Sequence, residues 1–132
     1  MSCRIYMDHA ATTEMLPEVR EAMEPYLREE YGNASTSYDM GVRMHDAIEE
    51  AREKIAWVID AQPEEIFFTS GGSESDNWVI KSVAGEKKNS GKHLITTRIE
   101  HHAVLRSCQY LESLGYEVTY LDVDDYGLVS AK

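Results

Sequence analysis

A stretch rich in glycine and hydroxyl residues, Thr69-Ser70-Gly71-Gly72-Ser73-Glu74-Ser75-Asp76-Asn77, lies between an apolar run at residues 66–68 and a helical pattern that begins at Trp78. A strand, a glycine turn and a helix in this order direct backbone N–H groups and the positive end of a helix dipole into one small space, which suits a phosphate. Ser73 is expected to cap the helix, with Asp76 completing a capping-box-like pair. A capped turn that binds nothing fits the same residues equally well, so this stretch alone leaves both interpretations open.

Alternating strand and helix patterns from residue 65 to residue 121 predict a βαβαβ order. We expect strands at residues 65–69, 94–97 and 118–121, with Gly85 and Gly115 ending the two intervening helices. Crossovers of this kind give parallel strands with helices packed on the sheet, so the predicted fold class is α/β. Ligands of such sheets bind at the carboxyl ends of the strands, where the glycine turn and the turn at residues 98–102 are both expected.

The first half of the chain reads as helical. A helix is expected to follow Pro17, and Pro25 is expected to kink or break it. A loop at residues 31–37 precedes a longer helix at residues 42–59, with Arg52 on its polar side. One apolar stripe is predicted for this long helix, formed by Met44, Ile48, Ala51, Ile55 and Val58.

Two histidines, His101 and His102, open the helix that follows the second strand. The helix dipole favours a neutral imidazole there, which can stack on a flat ring or shuttle a proton. On this pattern alone a polar cap without a ligand is the favoured alternative. No metal site is predicted, because the histidines lack the i,i+4 or Cys-x-x-Cys spacing of ligand sets. Cys108 lies on the apolar face of its helix and is expected to be buried, whereas Cys3 is left unassigned.

Composition narrows the class of protein. The 132 residues are typical of one domain, and 42% hydrophobic residues suffice for a core. The net charge of -11 argues against a nucleic-acid or anionic-membrane surface, although a single phosphate needs only local donors. No apolar run is long enough to span a bilayer, and two distant cysteines set no disulfide framework. A reducing, cytoplasmic location is therefore expected.

Four motifs carry a resemblance to a known family. Tyr6-Met7-Asp8-His9-Ala10-Ala11-Thr12-Thr13 looks like the N-terminal signature of cysteine desulfurases of the NifS/IscS type. Tyr31-Gly32-Asn33-Ala34-Ser35 resembles their Gly-Asn-Pro-Ser-Ser loop, with alanine in place of proline. The stretch from Phe68 to Asn77 is similar to their phosphate-binding turn, and residues 97–105 resemble the segment with their ring-stacking histidine. The order and spacing of all four motifs match the N-terminal part of the family.

The resemblance implies the large domain of the pyridoxal-phosphate aminotransferase fold (fold type I, class V), a three-layer αβα arrangement. Residues 1–14 would form an N-terminal segment and residues 15–132 an incomplete cofactor-binding domain. It implies a homodimer that converts L-cysteine to L-alanine and passes persulfide sulfur to an iron–sulfur scaffold or another acceptor protein. Carried over by motif, Gly72 and Ser73 would bind the phosphate of pyridoxal 5′-phosphate, and His101 would stack on its ring and assist proton transfer.

The family's cofactor-binding lysine, in a Ser-x-His-Lys type motif, has no match in this sequence. Neither cysteine matches the persulfide-forming residue, which lies late in the family's chain. The lysines are expected away from the carboxyl edge of the sheet, with Lys81 pointing away from the glycine turn; the six are Lys54, Lys81, Lys87, Lys88, Lys92 and Lys132. We therefore expect this chain alone to be inactive. The alternatives are another class V enzyme, such as a selenocysteine lyase or an aminotransferase, or a non-catalytic dimerising or scaffold module.

Overall fold

A computed structural model describes residues 5–130 of the chain. Cys3 and Lys132 lie outside the described residues. The chain divides into two compact units, Met1–Ile66 and Phe67–Lys132. None of the helices within residues 5–130 combines the length and the apolar character needed to cross a lipid bilayer.

The first unit contains helix α1 (Pro17–Arg28), helix α2 (Asp39–Val58) and a 3₁₀ helix (Pro63–Glu65). Of the two outcomes expected at Pro25, a kink or a break, the break does not occur, since α1 continues through this residue to Arg28. A proline removes one N–H donor but keeps its carbonyl. That carbonyl accepts hydrogen bonds from the N–H groups of Glu29 at 2.9 Å and Glu30 at 2.8 Å, so the helix extends beyond it.

The long helix α2 begins three residues earlier than predicted and packs through a different face. Gly41 is buried against the preceding loop, where an added Cβ would lie 2.1 Å from Thr36 Oγ1. Arg52, expected on the polar side, has a side chain only 21% exposed and pairs with Glu49 at 3.1 Å. It also donates to the carbonyl of Ile66, just beyond the 3₁₀ helix. The predicted apolar stripe is left largely exposed, including Ile48, Ile55 and Val58.

The predicted strand at residues 65–69 is wrong. Glu65 ends the 3₁₀ helix, and its carboxylate accepts a hydrogen bond from the Gln62 N–H at 2.8 Å. Ile66 then adopts extended backbone angles, with φ of -98° and ψ of 123°. The segment is extended, but a strand also needs a neighbouring ladder, and none of the described residues supplies one. Phe67 and Phe68 are accordingly 65% and 50% exposed.

The second unit holds helix α3 (Gly72–Lys87), strand β1 (His93–Thr97), helix α4 (His102–Ser113) and strand β2 (Glu117–Leu121). The two strands pair in parallel, with His93 opposite Glu117 and Thr97 opposite Leu121. Helix α4 packs against both α3 and β2. These elements confirm the predicted α/β fold and its parallel strands. The buried residues of this unit include Cys108, as predicted, together with Ala84, Ala103, Ser107 and Leu111.

Both predicted ends of α3 need correction. The cap at its start is Gly71 rather than Ser73, and the side chains of Ser73 and Asp76 form no capping box. Gly85, predicted to end the helix, lies inside it, and the helix continues to a cap at Lys88. Gly115 does adopt the left-handed conformation expected after a helix, with φ of +86°, just beyond the α4 cap at Leu114.

Candidate functional site

The start of α3 presents free backbone donors. The N–H groups of Glu74 and Ser75 both donate to the Gly71 carbonyl, at 3.1 and 3.2 Å. Those of Gly72 and Ser73 have no partner among the described residues, as expected for the first positions of a helix. A Cβ added at Gly71 or Gly72 would meet no atom within 4 Å, so the space above the turn is open. Open space and unpaired N–H groups at a helix start suit a phosphate.

Side chains tie the glycine turn to the first turn of α3. Glu74 Oε2 accepts from the Ser70 N–H at 2.6 Å and from the Ser70 hydroxyl at 2.8 Å. These two bonds, the backbone one foremost, hold the pKa of Glu74 below its ordinary value. On the other side of the turn, the Thr69 and Ser75 hydroxyl oxygens lie 2.7 Å apart, and Thr69 also donates to the Gly71 carbonyl. Glu74 was not among the predicted site residues; its signal in the sequence is an acidic residue three positions after the Gly71 cap.

The side chain of Lys81 runs back along α3 toward the turn, which corrects the prediction that it points away. Its Nζ donates to Asn77 Oδ1 at 2.6 Å, and Asn77 Nδ2 donates to the Ser73 carbonyl at 2.8 Å. The ammonium also lies 4.9 Å from the centre of the Tyr110 ring. Two partners thus hold the amine at the level of Asn77, one helical turn from Ser73.

His101 caps α4 with its side chain. Its Nδ1 accepts a hydrogen bond from the Ala103 N–H at 3.1 Å, and both His101 and His102 are exposed. An Nδ1 that accepts cannot carry a proton, so in this arrangement the ring holds its hydrogen at Nε2. The centroids of the two histidine rings lie 6.3 Å apart, with the planes at 48°. His101 therefore uses Nδ1 for the cap and leaves its Nε2 edge available.

The starts of α3 and α4 lie at the same end of the second unit. Lys81, nine residues after Gly72, contacts Tyr110, eight residues after His102. Near the other ends, the Tyr116 hydroxyl donates to the Ala84 carbonyl at 2.8 Å. Lys81 precedes Ala84 along the chain and Tyr110 precedes Tyr116, so α3 and α4 run in the same direction.

The strand ends fix the turn that leads to His101. Arg98 follows β1 and donates its N–H to the Leu121 carbonyl at 3.1 Å, and its Nε pairs with Asp122 at 2.6 Å. Thr97 donates to Glu100 Oε1 at 3.0 Å. These contacts join the carboxyl ends of both parallel strands. The Arg98–Asp122 pair was not predicted. The pair depends on the register of two strands that are separated along the chain.

Cys108 is only 2% exposed in the packed face of α4. Burial raises the pKa of its thiol, and the charges of Glu112 and Glu100 raise it further. Because the thiolate is the nucleophilic form, this cysteine suits packing rather than sulfur chemistry. Residues 5–130 contain no group of three or more His, Cys, Asp or Glu side chains placed to hold a metal ion.

Comparison with known proteins gives consistent matches. A family model described as aminotransferase class-V matches residues 5–132. The chain is 54% identical to a cysteine desulfurase IscS of Methanosarcina thermophila, over 96% of this chain and 31% of that protein. It is 50% identical to a putative cysteine desulfurase IscS 1 of Bacillus subtilis, over 98% of this chain and 34% of that protein.

Solved structures agree with the sequence matches. A NifS-like protein superposes with a TM-score of 0.90 and 43% identity, over 97% of this chain and 35% of that chain. The structure of SspA in complex with cysteine gives a TM-score of 0.80 at 43% identity, over 87% of this chain and 33% of that one. The chain thus spans about a third of the length of the relatives it matches.

Proposed function

The chain belongs to the aminotransferase class-V family, and we propose that it forms the cofactor-phosphate part of a pyridoxal 5′-phosphate-dependent cysteine desulfurase of the NifS/IscS type. In this proposal residues 15–132 belong to the large cofactor-binding domain. The two helix starts would serve other class V enzymes equally well. The proposal of cysteine as the substrate therefore rests on the names of the relatives.

One observation carries the proposal: two helices begin at the same end of the second unit, one with free N–H groups and the other with a capping histidine. The N–H groups of Gly72 and Ser73 would hold the phosphate, aided by the positive end of the α3 dipole. The Ser73 hydroxyl is exposed and can add a donor. The residues present thus fit the phosphate end of the cofactor.

His101 would face the cofactor ring and move a proton at Nε2. Its Nδ1 is occupied by the Ala103 N–H, which fixes the tautomer and the ring orientation. A ring that is held through one nitrogen can exchange a proton through the other without leaving its position. His102, next in sequence, makes no hydrogen bond through its ring among the described residues and provides a comparison.

When bound, the cofactor supplies an electron sink for an amino-acid substrate, and a lysine amine normally anchors it. Within the second unit, Lys87 and Lys88 lie at the far end of α3, Lys92 lies just before β1, and Lys81 is held by Asn77. This placement supports the expectation that the chain alone does not turn cysteine into alanine. The homodimer, the iron–sulfur scaffold or other sulfur acceptor, and the cytoplasmic location are proposed from family membership.

The test is to follow the backbone amides of isotope-labelled chain by NMR as pyridoxal 5′-phosphate is added. We expect the largest shifts at Gly72 and Ser73, with ring-current shifts at His101. The variant Ser73→Ala, which loses one donor to a charged group, should bind the cofactor roughly 10–100-fold more weakly. His101→Ala, which loses the ring that would face the cofactor, should weaken the binding measured at the Gly72 and Ser73 amides more than the matched variant His102→Ala does. Shifts centred on Lys87 and Lys88 instead would mean simple amine labelling and would refute the proposed site.

A further inference from the structure

The glycine turn is closed by a carboxylate from the helix that follows it. Glu74 Oε2 accepts two hydrogen bonds from one residue, the Ser70 N–H at 2.6 Å and the Ser70 hydroxyl at 2.8 Å. Ser70 immediately precedes the two glycines, and Glu74 lies in the first turn of α3. A single side chain therefore joins both ends of the segment that carries the Gly72 and Ser73 donors.

A second tie lies beside the first. The Thr69 and Ser75 hydroxyl oxygens are 2.7 Å apart, and the Thr69 hydroxyl also donates to the Gly71 carbonyl at 3.2 Å. Two adjacent residues before the turn are thus bound to two adjacent residues after it. Glycine loses more backbone freedom on ordering than other residues do, so an untied pair of glycines would lose more freedom when a ligand binds. The ties fix the turn beforehand, which lowers the cost of binding.

The negative charge of Glu74 is informative, because it lies beside the proposed phosphate site. A carboxylate beside a phosphate site repels the ligand, so an acid at this position weakens binding unless it serves another purpose. Glu74 serves such a purpose, because its Oε2 accepts both Ser70 bonds, and these bonds hold the pKa of the carboxyl below its ordinary value. The structural gain is that Gly72 and Ser73 retain N–H groups free for an anion.

We infer that Glu74 is a positioning residue for the cofactor phosphate: by binding Ser70 it holds the Gly71-Gly72 turn in the conformation that presents the Gly72 and Ser73 N–H groups. This inference rests on the proposed function. Glu74 itself does not contact the cofactor in this proposal and acts only through the N–H groups that bind the phosphate. Replacing Glu74 should therefore affect only ligands that carry a phosphate.

The test compares two probes, pyridoxal 5′-phosphate and pyridoxal, which differ only in the phosphate. The measured quantity is the ratio of their dissociation constants for the chain and its variants, with amide exchange at Ser70 recorded in parallel. Glu74→Ala should reduce the preference for the phosphorylated probe by about five- to tenfold and expose the Ser70 N–H to exchange. Glu74→Gln should retain most of the preference, because its amide oxygen can accept the same two bonds. Ser70→Ala should give a smaller loss, since it removes only the hydroxyl bond.

The control is Glu86→Ala, which removes one carboxylate from an exposed position near the end of the same helix and should leave the ratio unchanged. An unchanged ratio in Glu74→Ala would overturn the inference while leaving the phosphate site intact. So would a Glu74→Gln variant as impaired as Glu74→Ala, since its amide oxygen can accept both Ser70 bonds and should preserve the tie. If Glu74→Ala does not fold, the Glu74→Gln and Ser70→Ala pair decides by the same criterion. A wild-type chain without preference for the phosphorylated probe would refute both the proposed function and this inference.

Discussion

Replacing Gly85 with alanine is expected to stabilise the second unit, and replacing Gly115 is expected to destabilise it. Gly85 lies inside α3, without a positive φ, and an added Cβ would meet no atom within 4 Å. The substitution therefore changes only backbone freedom, which is worth about 0.5–1 kcal/mol in a helix interior. Gly115 has φ of +86° and equally open surroundings. Alanine there should cost about 1–2 kcal/mol, from backbone strain alone.

The assay is urea unfolding of the wild-type chain and both variants, followed by far-ultraviolet circular dichroism. Equal slopes with displaced midpoints would show that stability, rather than compactness, has changed. The sign for Gly85 is the decisive result, because the sequence pattern alone predicts a left-handed helix cap there. A Gly85→Ala variant destabilised by about 1 kcal/mol would show that α3 ends at that glycine and would refute the reasoning.

Two further predictions concern tyrosines of the second unit. Tyr116→Phe should lower the free energy of unfolding by about 1 kcal/mol, because the half-buried hydroxyl donates to the Ala84 carbonyl at 2.8 Å. Tyr110→Phe is the matched control and should change the free energy of unfolding little. Burial, followed by the hydrogen bond to Glu112, raises the pKa of Tyr120 to about 12. Since this lies above the unfolded value of about 10, the stabilising contribution should be complete below pH ~10 and be lost as pH rises through ~12. Phenolate absorbance should show this late titration, and Glu112→Gln should move it to lower pH; a Tyr120 that titrates with the exposed tyrosines would contradict the assignment.

The sequence predicted those elements in which the local pattern and the long-range contacts agree. Strands β1 and β2 and the start of α4 at the histidines lie where alternation, glycine and helical spacing place them. The parallel pairing followed from the crossover rule, which needs no knowledge of side-chain contacts. The buried position of Cys108 followed in the same way from the period of its helix.

The wrong predictions have a common physical origin. In each case the local structure depends on contacts with other residues that the local sequence pattern does not show. Residues 66–69 have the apolar character of a strand, but strand formation depends on a partner elsewhere. Gly85 and Pro25 are helix-ending residues by propensity, yet the surrounding helical bonds outweigh one unfavourable residue of about 1–3 kcal/mol. Ser73 was predicted as the helix cap because serine is a common cap residue. The turn is instead closed by the Glu74 carboxylate, which accepts from the Ser70 N–H.

The candidate site separates binding from chemistry along the chain. All the groups proposed to hold the phosphate and orient the ring come from residues 69–103: backbone N–H groups, the side-chain hydrogen bonds across the glycine turn, and the capping histidine. Such groups are positioned by local helix starts and by the parallel packing of α3 on α4, so a single compact unit can supply them. A covalent anchor is different, because it needs a free amine beside the bound cofactor. The Lys81 amine is instead held by Asn77 and the Tyr110 ring, one helical turn from Ser73. The groups proposed to bind the phosphate include no amine among the described residues. We therefore expect this chain to bind the cofactor through its phosphate without turning over cysteine.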